Sequence, residues 1–590
     1  MTAVTDLAAR PPAVYGSDVI VDLLHALGVE YAAFNPGASF RGLHDSLVNR
    51  GGNAMPRAVL CTHEEISVAL AHGFYKATDR PMAAIIHDVV GLQHACMAIY
   101  NAWCDRVPVL LLGGTGAMDA VRRRPRTEWN HTALVQGDHV RDFVKWDDQP
   151  MSVGSAVESI LRAWRLMNAQ PTAPVYVCLD IDLQEARLAE PVPIPADLER
   201  WTRQAAVQAD IDELATAARW LAEARSPAIL AGRVGRSAEG TDALARLAET
   251  LAAPVIDLFN GFNIATTAPY DATGAHAETL GAADVVLAAD VVDLWGALHY
   301  GRTTSSPRVW SLSDGTKVIS LSTAELLVRS WSADHQRIQP VELSLVGDTR
   351  VALPALAELV AERVRPGDAV REERRARLAQ AAKRRRGEWE AEARSHATRE
   401  RISDAYYALC LRDAVAKHEW VVSNRASAEW VRRLWTIERR HQYTGEGAGG
   451  GVGYGIGASL GVGLAHKGTG RIVVDPQTDG DLLYCTSALW TAAAEKLPLL
   501  IAVHNNRSYG NSEHHARVIA QRRGTPVERR TIGTRIESPA VDLSTVARGL
   551  GVAAGAAVTR PADLPRALAL AVEAVAGGEP YLVDVVVEAP

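Results

Sequence analysis

Two short stretches near the carboxyl end of the chain carry oxygen ligands in a pattern that suits a hard cation. The first, Thr478-Asp479-Gly480-Asp481, follows the apolar run RIVVDPQ; the second, beginning Asn505-Asn506-Arg507-Ser508-Tyr509-Gly510, follows LPLLIAVH. Both runs read as buried strands, and parallel α/β sheets collect ligands at the carboxyl ends of their strands. Mg²⁺ takes about six oxygens in near-octahedral geometry and shares them with phosphates. Asp479, Asn506 and the main-chain carbonyl of Ser508 would supply the protein's part of that shell. Upstream, GEGAGGGVGYGIGASLG concentrates glycine, which permits close approach of a backbone to a ligand. Taken alone, an Asp-Gly or an Asn-Asn is equally explained by turn chemistry.

The amino-terminal third holds candidates for proton chemistry. In CTHEEISVALAHGFYKATDRP, Glu64 opens an apolar-periodic helix, and Glu65 lies about 100° around the helix axis from it. His87 ends the apolar strand PMAAIIH at a ligand-facing edge, and imidazole titrates near neutrality. The plain alternatives are a helix-terminal charge for Glu64 and a structural role for His87.

Positioning such residues requires strands, and the chain shows three α/β alternations. The first runs through YAAFNPG, a helix from Glu64 to Thr78, PMAAIIH and VPVLLLGG; the second through PAILAG, PVIDLF, ADVVLAAD and KVISLS; the third through EWVVSN, RIVVDPQ, LPLLIAVH and PYLVDVVVE. The fold class expected is α/β, three consecutive doubly wound parallel-sheet domains. The boundaries expected are 1–185, 200–365 and 406–590, with residues 366–405 forming a charged, solvated helical linker.

Composition narrows the function. A chain of 590 residues exceeds one core, and a net charge of −7 with 48% hydrophobic residues points to neither nucleic acid nor an anionic membrane. The basic run Lys383–Arg386 is closely flanked by glutamates. No apolar run of signal-peptide or membrane-spanning length occurs, which makes the cytoplasm the default expectation. Six cysteines without CxxC spacing argue against zinc or a disulfide framework.

Together, TDGD, NNRSYG and the glycine-dense segment resemble the cofactor signature of the thiamine diphosphate enzymes, the superfamily of pyruvate decarboxylase, acetolactate synthase and benzoylformate decarboxylase. FNPGAS, IIHDVVGLQHACMAIYNAW and FVKWDDQP follow the benzoylformate decarboxylase pattern in order. The resemblance implies pyrimidine-binding, middle and diphosphate-binding domains, with thiamine diphosphate and Mg²⁺ as cofactors. It places Asp479, Asn506 and Ser508 on the metal, and Gly450, Gly451, Val452, Gly480, Asp481 and Tyr509 with them around the coenzyme. Val452 would wedge between the coenzyme's rings. Glu64 would hydrogen-bond the pyrimidine N1′, while His87 and, from the middle domain, His299 would be catalytic. Because the glutamate and the diphosphate site belong to different subunits in this superfamily, a homodimer or homotetramer is implied.

The activity implied is decarboxylation of a 2-oxo acid, carboligation with an aldehyde, or both, through a C2 ylid and an enamine. An acetolactate synthase-like, acyloin-forming transferase is the alternative; such enzymes often bind FAD, for which AILAGRVGRS is too short a signal. A catalytically degenerate binding protein is the alternative from another class. Three departures stand out: Thr478 where the family has glycine, Ala38 where benzoylformate decarboxylases have serine (Ser39 follows it), and a single His94 where pyruvate decarboxylases have a histidine pair. Glu513 and His514 are candidates for closing over the site, against a plain solvated loop.

Overall fold

The computed structural model describes residues 10–589 apart from 125–126, 259–260, 301–308, 311, 328, 330–332, 334 and 446. Three parallel sheets succeed one another. The first contains β1 (Tyr31–Phe34), β2 (Arg57–Leu60), β3 (Met82–Ile86), β4 (Val109–Thr115), β5 (Asp147–Asp148) and β6 (Val175–Asp180), in the order β2-β1-β3-β4-β6-β5. The second contains β7 (Pro227–Ala231), β8 (Val255–Asp257) and β9 (Val285–Ala289); after the short antiparallel ribbon of β10 (His299–Tyr300) and β11 (Val309–Trp310), it adds β12 (Lys317–Ser322) and β13 (Leu343–Val346). Its order is β13-β12-β9-β7-β8. The third is formed by β14 (Trp420–Val422), β15 (Ile472–Thr478), β16 (Leu499–Asn505), β17 (Ala553–Ala554) and β18 (Tyr581–Val586), ordered β14-β15-β16-β18-β17.

The expected three-sheet α/β class is therefore the fold. β3, β4, β7 and β16 are buried at every residue, as strands covered by helices on both faces must be. This explains their continuous apolar runs in place of a polar–apolar alternation.

The first and third sheets share a core. Leu70 and Phe74 of the helix Glu64–Thr78 cluster with Ile456, Leu460 and Val462 of the helix Tyr454–His466. Glycine sets how closely these helices approach. A Cβ on Gly73 would lie 2.0 Å from the Ala458 carbonyl oxygen, and one on Gly461 2.0 Å from that of Leu70. Two backbones in contact leave little freedom for one helix to move without the other.

The charged linker forms the helix Ala369–Ser395, exposed along much of its length. It differs from a purely solvated connector at Arg374, which is buried and donates to the carbonyls of Ala252 (2.9 Å) and Leu251 (2.5 Å). These are the last carbonyls of the helix Ala238–Leu251 and its cap, a natural position for a cation. All six cysteines are free. Among the described residues no helix is long and apolar enough to cross a membrane.

Candidate cofactor and metal site

β15 and β16 are parallel neighbours with Thr478 opposite His504, so Asp479 and Asn506 leave the sheet side by side. Asp479 is 3% exposed, and its Oδ2 has no hydrogen-bond partner. Burial pushes its carboxyl up to about 6, against the opposing pull of the Gly480 backbone N–H, His504 and the Arg507 N–H. A desolvated carboxylate oxygen without a donor is costly unless a cation meets it.

The loop after β16 is pinned by hydrogen bonds on both sides of Ser508. Asn506 Oδ1 accepts the Ser508 N–H at 2.9 Å. Tyr509 N–H donates to the Thr534 carbonyl and Ile536 N–H to that of Arg507, both at 2.8 Å, which makes Ser508 and Arg535 a non-hydrogen-bonded pair. The Ser508 carbonyl is thereby turned away from the neighbouring segment. One carboxylate, one amide and one carbonyl form an oxygen-only donor set that fits Mg²⁺. Thr478 departs from glycine at no backbone cost, since its φ of −95° and ψ of 148° are open to any residue. Tyr509 packs on Gly480, where a Cβ would meet the ring at 2.8 Å.

The glycine-rich segment has a neighbour that the sequence did not disclose. A Cβ on Gly449 would lie 2.6 Å from Asn101 Oδ1, and one on Gly451 2.4 Å from Met97, both on the helix Asp88–Cys104. Gly450, at φ +66°, takes the left-handed turn between them. Asp481 anchors the segment: its carboxylate accepts the N–H groups of Gly453 (2.6 Å) and Gly455 (3.2 Å) and the Gln477 amide (2.8 Å). Val452 is 37% exposed, which rules out a core role.

Glu64 and Glu65 diverge as helical geometry requires. His63 caps the helix by accepting the Glu65 N–H at 3.1 Å. The buried Glu64 carboxylate meets His94 Nδ1 at 3.1 Å, packs against Gly91, and has His63 stacked on His94 beside it. Glu65 instead reaches Gly453, Asp481 and Cys485, and burial, with Asp481, pushes its carboxyl up to about 7.

His87 follows β3 and stands over Gly37. Its Nδ1 is 2.9 Å from Ser39 Oγ, its Nε2 is 3.4 Å from the buried Asp88, and the His131 ring lies 5.7 Å away. Burial and then His131 lower its proton affinity, against a smaller opposing effect of Glu64. Ser39, next to Ala38, is thus the hydroxyl at this imidazole. His131 escaped sequence reasoning because no local motif marks it. His94 stands without a histidine neighbour in the sequence, and no local pattern signals its contact with Glu64, 30 residues away.

His299 stacks on Trp295 at 3.9 Å and shares a 2.5 Å hydrogen bond with the Trp295 carbonyl, within the middle unit. Glu513, a candidate closing group, is buried instead. It accepts from Ser508 Oγ at 2.9 Å and from Arg535 at 3.1 Å through two nitrogens, and it forms an ion pair with Arg530 at 3.2 Å. His514 beside it is exposed.

Three family models match in order: the thiamine pyrophosphate enzyme N-terminal TPP binding domain at residues 14–135, the central domain at 214–356 and the C-terminal TPP binding domain at 426–585. The chain is 26% identical to a benzoylformate decarboxylase of Pseudomonas aeruginosa over 92% of its own length and 96% of the relative's. It is 21% identical to acetolactate synthase 3 of Brassica napus over 84% and 72%. In fold it matches a 4-hydroxybenzoylformate decarboxylase of Rhodococcus jostii with a TM-score of 0.76 at 21% identity, covering 98% of this chain and 99% of that one.

Proposed function

Because the chain belongs to the thiamine pyrophosphate (thiamine diphosphate) enzyme family, we propose that it is a Mg²⁺-dependent 2-oxo acid decarboxylase, a carboligase, or both. The observation that carries this reading is the buried, donorless Asp479 Oδ2 beside the Asn506 loop. Bound coenzyme supplies the electron sink that takes up the electrons left when CO₂ departs.

The chain's own residues do the rest. Asp479, Asn506 and the Ser508 carbonyl would hold the cation at the diphosphate end of the coenzyme. Gly450 and Gly451 would let backbone approach the coenzyme, and the exposed Val452 would support its rings. Glu64 holds a proton at the pyrimidine N1′, with His94 fixing its orientation at 3.1 Å. His87, its proton affinity lowered by burial, is neutral at pH 7 and ready to accept a proton, with Ser39 orienting the ring. His299 is the residue proposed from the middle domain.

Two protomers would complete each site in a homodimer or homotetramer, Glu64 of one serving the cation end of its partner. The exposed apolar side chains of Val452 and Tyr484 support this, since they flank the cation end and invite cover. An acetolactate synthase-like reaction is the second reading, favoured by the likeness to that enzyme. A flavin is less well supported: a Cβ on Gly235 would lie 1.4 Å from the Phe262 carbonyl oxygen, so this glycine serves internal packing.

A panel of 2-oxo acids and aldehydes with thiamine diphosphate and Mg²⁺, scored for CO₂ and for ligated product, tests the proposal. Glu64→Gln is expected to lower kcat by about a hundredfold or more while the coenzyme still binds. Unchanged turnover in that variant, or no turnover on any substrate, would refute it.

A further inference from the structure

The motif AGRVGRS at the end of β7 has no part in the site described above, and it borders a cavity. The cavity, about 90 Å³, lies where all three α/β units meet. A single buried water needs about 10–15 Å³ of such space, so there is room for several waters or one tetrahedral oxyanion.

Its charge is unbalanced. Lys76, Arg106, Arg233, Arg236 and Arg440 line it, facing the carboxylates of Asp79 and Asp105. A third carboxylate, Asp290, lies outside the lining and is 3.0 Å from Arg106. Five cations thus meet three anions. Asp79 and Asp105 also cap the helices Glu64–Thr78 and Asp88–Cys104, whose carboxyl ends each contribute about half a negative charge. About one positive charge is still left over.

Two of these cations, Arg233 and Arg236, have donors to spare. Arg236 gives one hydrogen bond to the Asp105 carbonyl at 2.9 Å, out of the five N–H groups a guanidinium carries. Arg233 is buried and its Nε has no acceptor. Burial and the neighbouring Arg233 pull Arg236 down to about 9, as expected of a cation short of counter-anions. Buried charge of this kind is stable only when it is paired and hydrogen-bonded.

We propose that the junction is a binding site for a phosphate group, free or carried on a small ester, that locks the three units together. Arg440 already bridges them, reaching Asp79 at 2.9 Å and the Gly235 carbonyl at 2.7 Å, and His441 meets the Lys76 carbonyl at 3.0 Å. The bound anion would extend these contacts. It would also brace the end of the helix opposite Glu64, about 22 Å away along 15 residues.

The test uses full-length protein saturated with thiamine diphosphate and Mg²⁺, so that the diphosphate site is filled. Inorganic phosphate and AMP are titrated calorimetrically against chloride at matched ionic strength, and thermal unfolding is followed in parallel. One saturable site per chain, with Kd below about 1 mM and a raised Tm, is expected. Arg236→Met and Arg440→Met should each weaken binding by about tenfold or more. Tighter binding of phosphate assigns the free ion, and tighter binding of AMP assigns an ester. No saturable heat above the chloride control, or undiminished affinity in the variants, overturns the proposal. If Arg236→Met does not fold, Arg440→Met and the wild-type titration decide.

Discussion

Gly73→Ala probes the seam on which the two cofactor-binding units depend. The new Cβ would fall 2.0 Å from the Ala458 carbonyl oxygen and 2.8 Å from its Cα. A carbon–oxygen contact normally opens to about 3.3 Å, so the helices Glu64–Thr78 and Tyr454–His466 must part by roughly 1.3 Å. Overpacking of this kind costs about 1–3 kcal/mol, and the upper end applies because the atoms struck are backbone. Alanine recovers about 1 kcal/mol of helix propensity, leaving a loss of about 2 kcal/mol. At about 2–4 °C per kcal/mol for a unit of this size, Tm falls by roughly 4–8 °C. The displaced helix carries Glu64, so kcat falls as well. Gly387→Ala is the matched control, since nothing lies within 4 Å of its Cβ position on the exposed linker helix; it should be neutral or slightly stabilising. Combining Gly73→Ala with Gly461→Ala should be less than additive, because one separation relieves both clashes. If Gly73→Ala unfolds with the control in calorimetry, the tight-seam argument fails.

Three other measurements check the site and its supports. Glu513→Gln should weaken Mg²⁺ and coenzyme binding by about tenfold, read by tryptophan quenching, because it loosens the Ser508 loop without removing a proposed ligand. Val452→Ala should shift stability by less than about 0.5 kcal/mol, given its exposure, yet lower turnover; equal losses in both would make it a packing residue. Asp475 is wholly buried, and desolvation, with nearby Asp481, pushes its carboxyl up to about 7. A carboxyl raised in the folded state is stabilising at low pH and loses that contribution as pH climbs from about 4 to 7. Asp475→Asn should therefore unfold at a higher temperature than wild type above pH 7, with the difference vanishing near pH 4.

What could be read from the sequence was what is encoded locally. Apolar runs without alternation announced strands covered on both sides, and β3, β4 and β16 are such strands. TDGD and NNRSYG were legible as a pair because each follows its own strand, and parallel strands deliver both ends to one edge. Glu64 was legible as the start of a helix, and the divergence of Glu65 followed from 100° of rotation.

What the sequence left open depends on contacts between distant segments. The glycines near 450 signalled close approach but not to what, and part of the answer is a helix some 350 residues earlier. Glu513 looked like a loop carboxylate until Arg530 and Arg535 were folded onto it, and His131 had no signal before it stood beside His87. Residue type and local periodicity determined the three sheets and the chemistry their edges can offer. Only tertiary packing decided which charges are buried, which carboxylates keep a vacant oxygen, and which glycines are spent on holding two domains together, because burial and proximity belong to the assembled chain and to no short stretch of it.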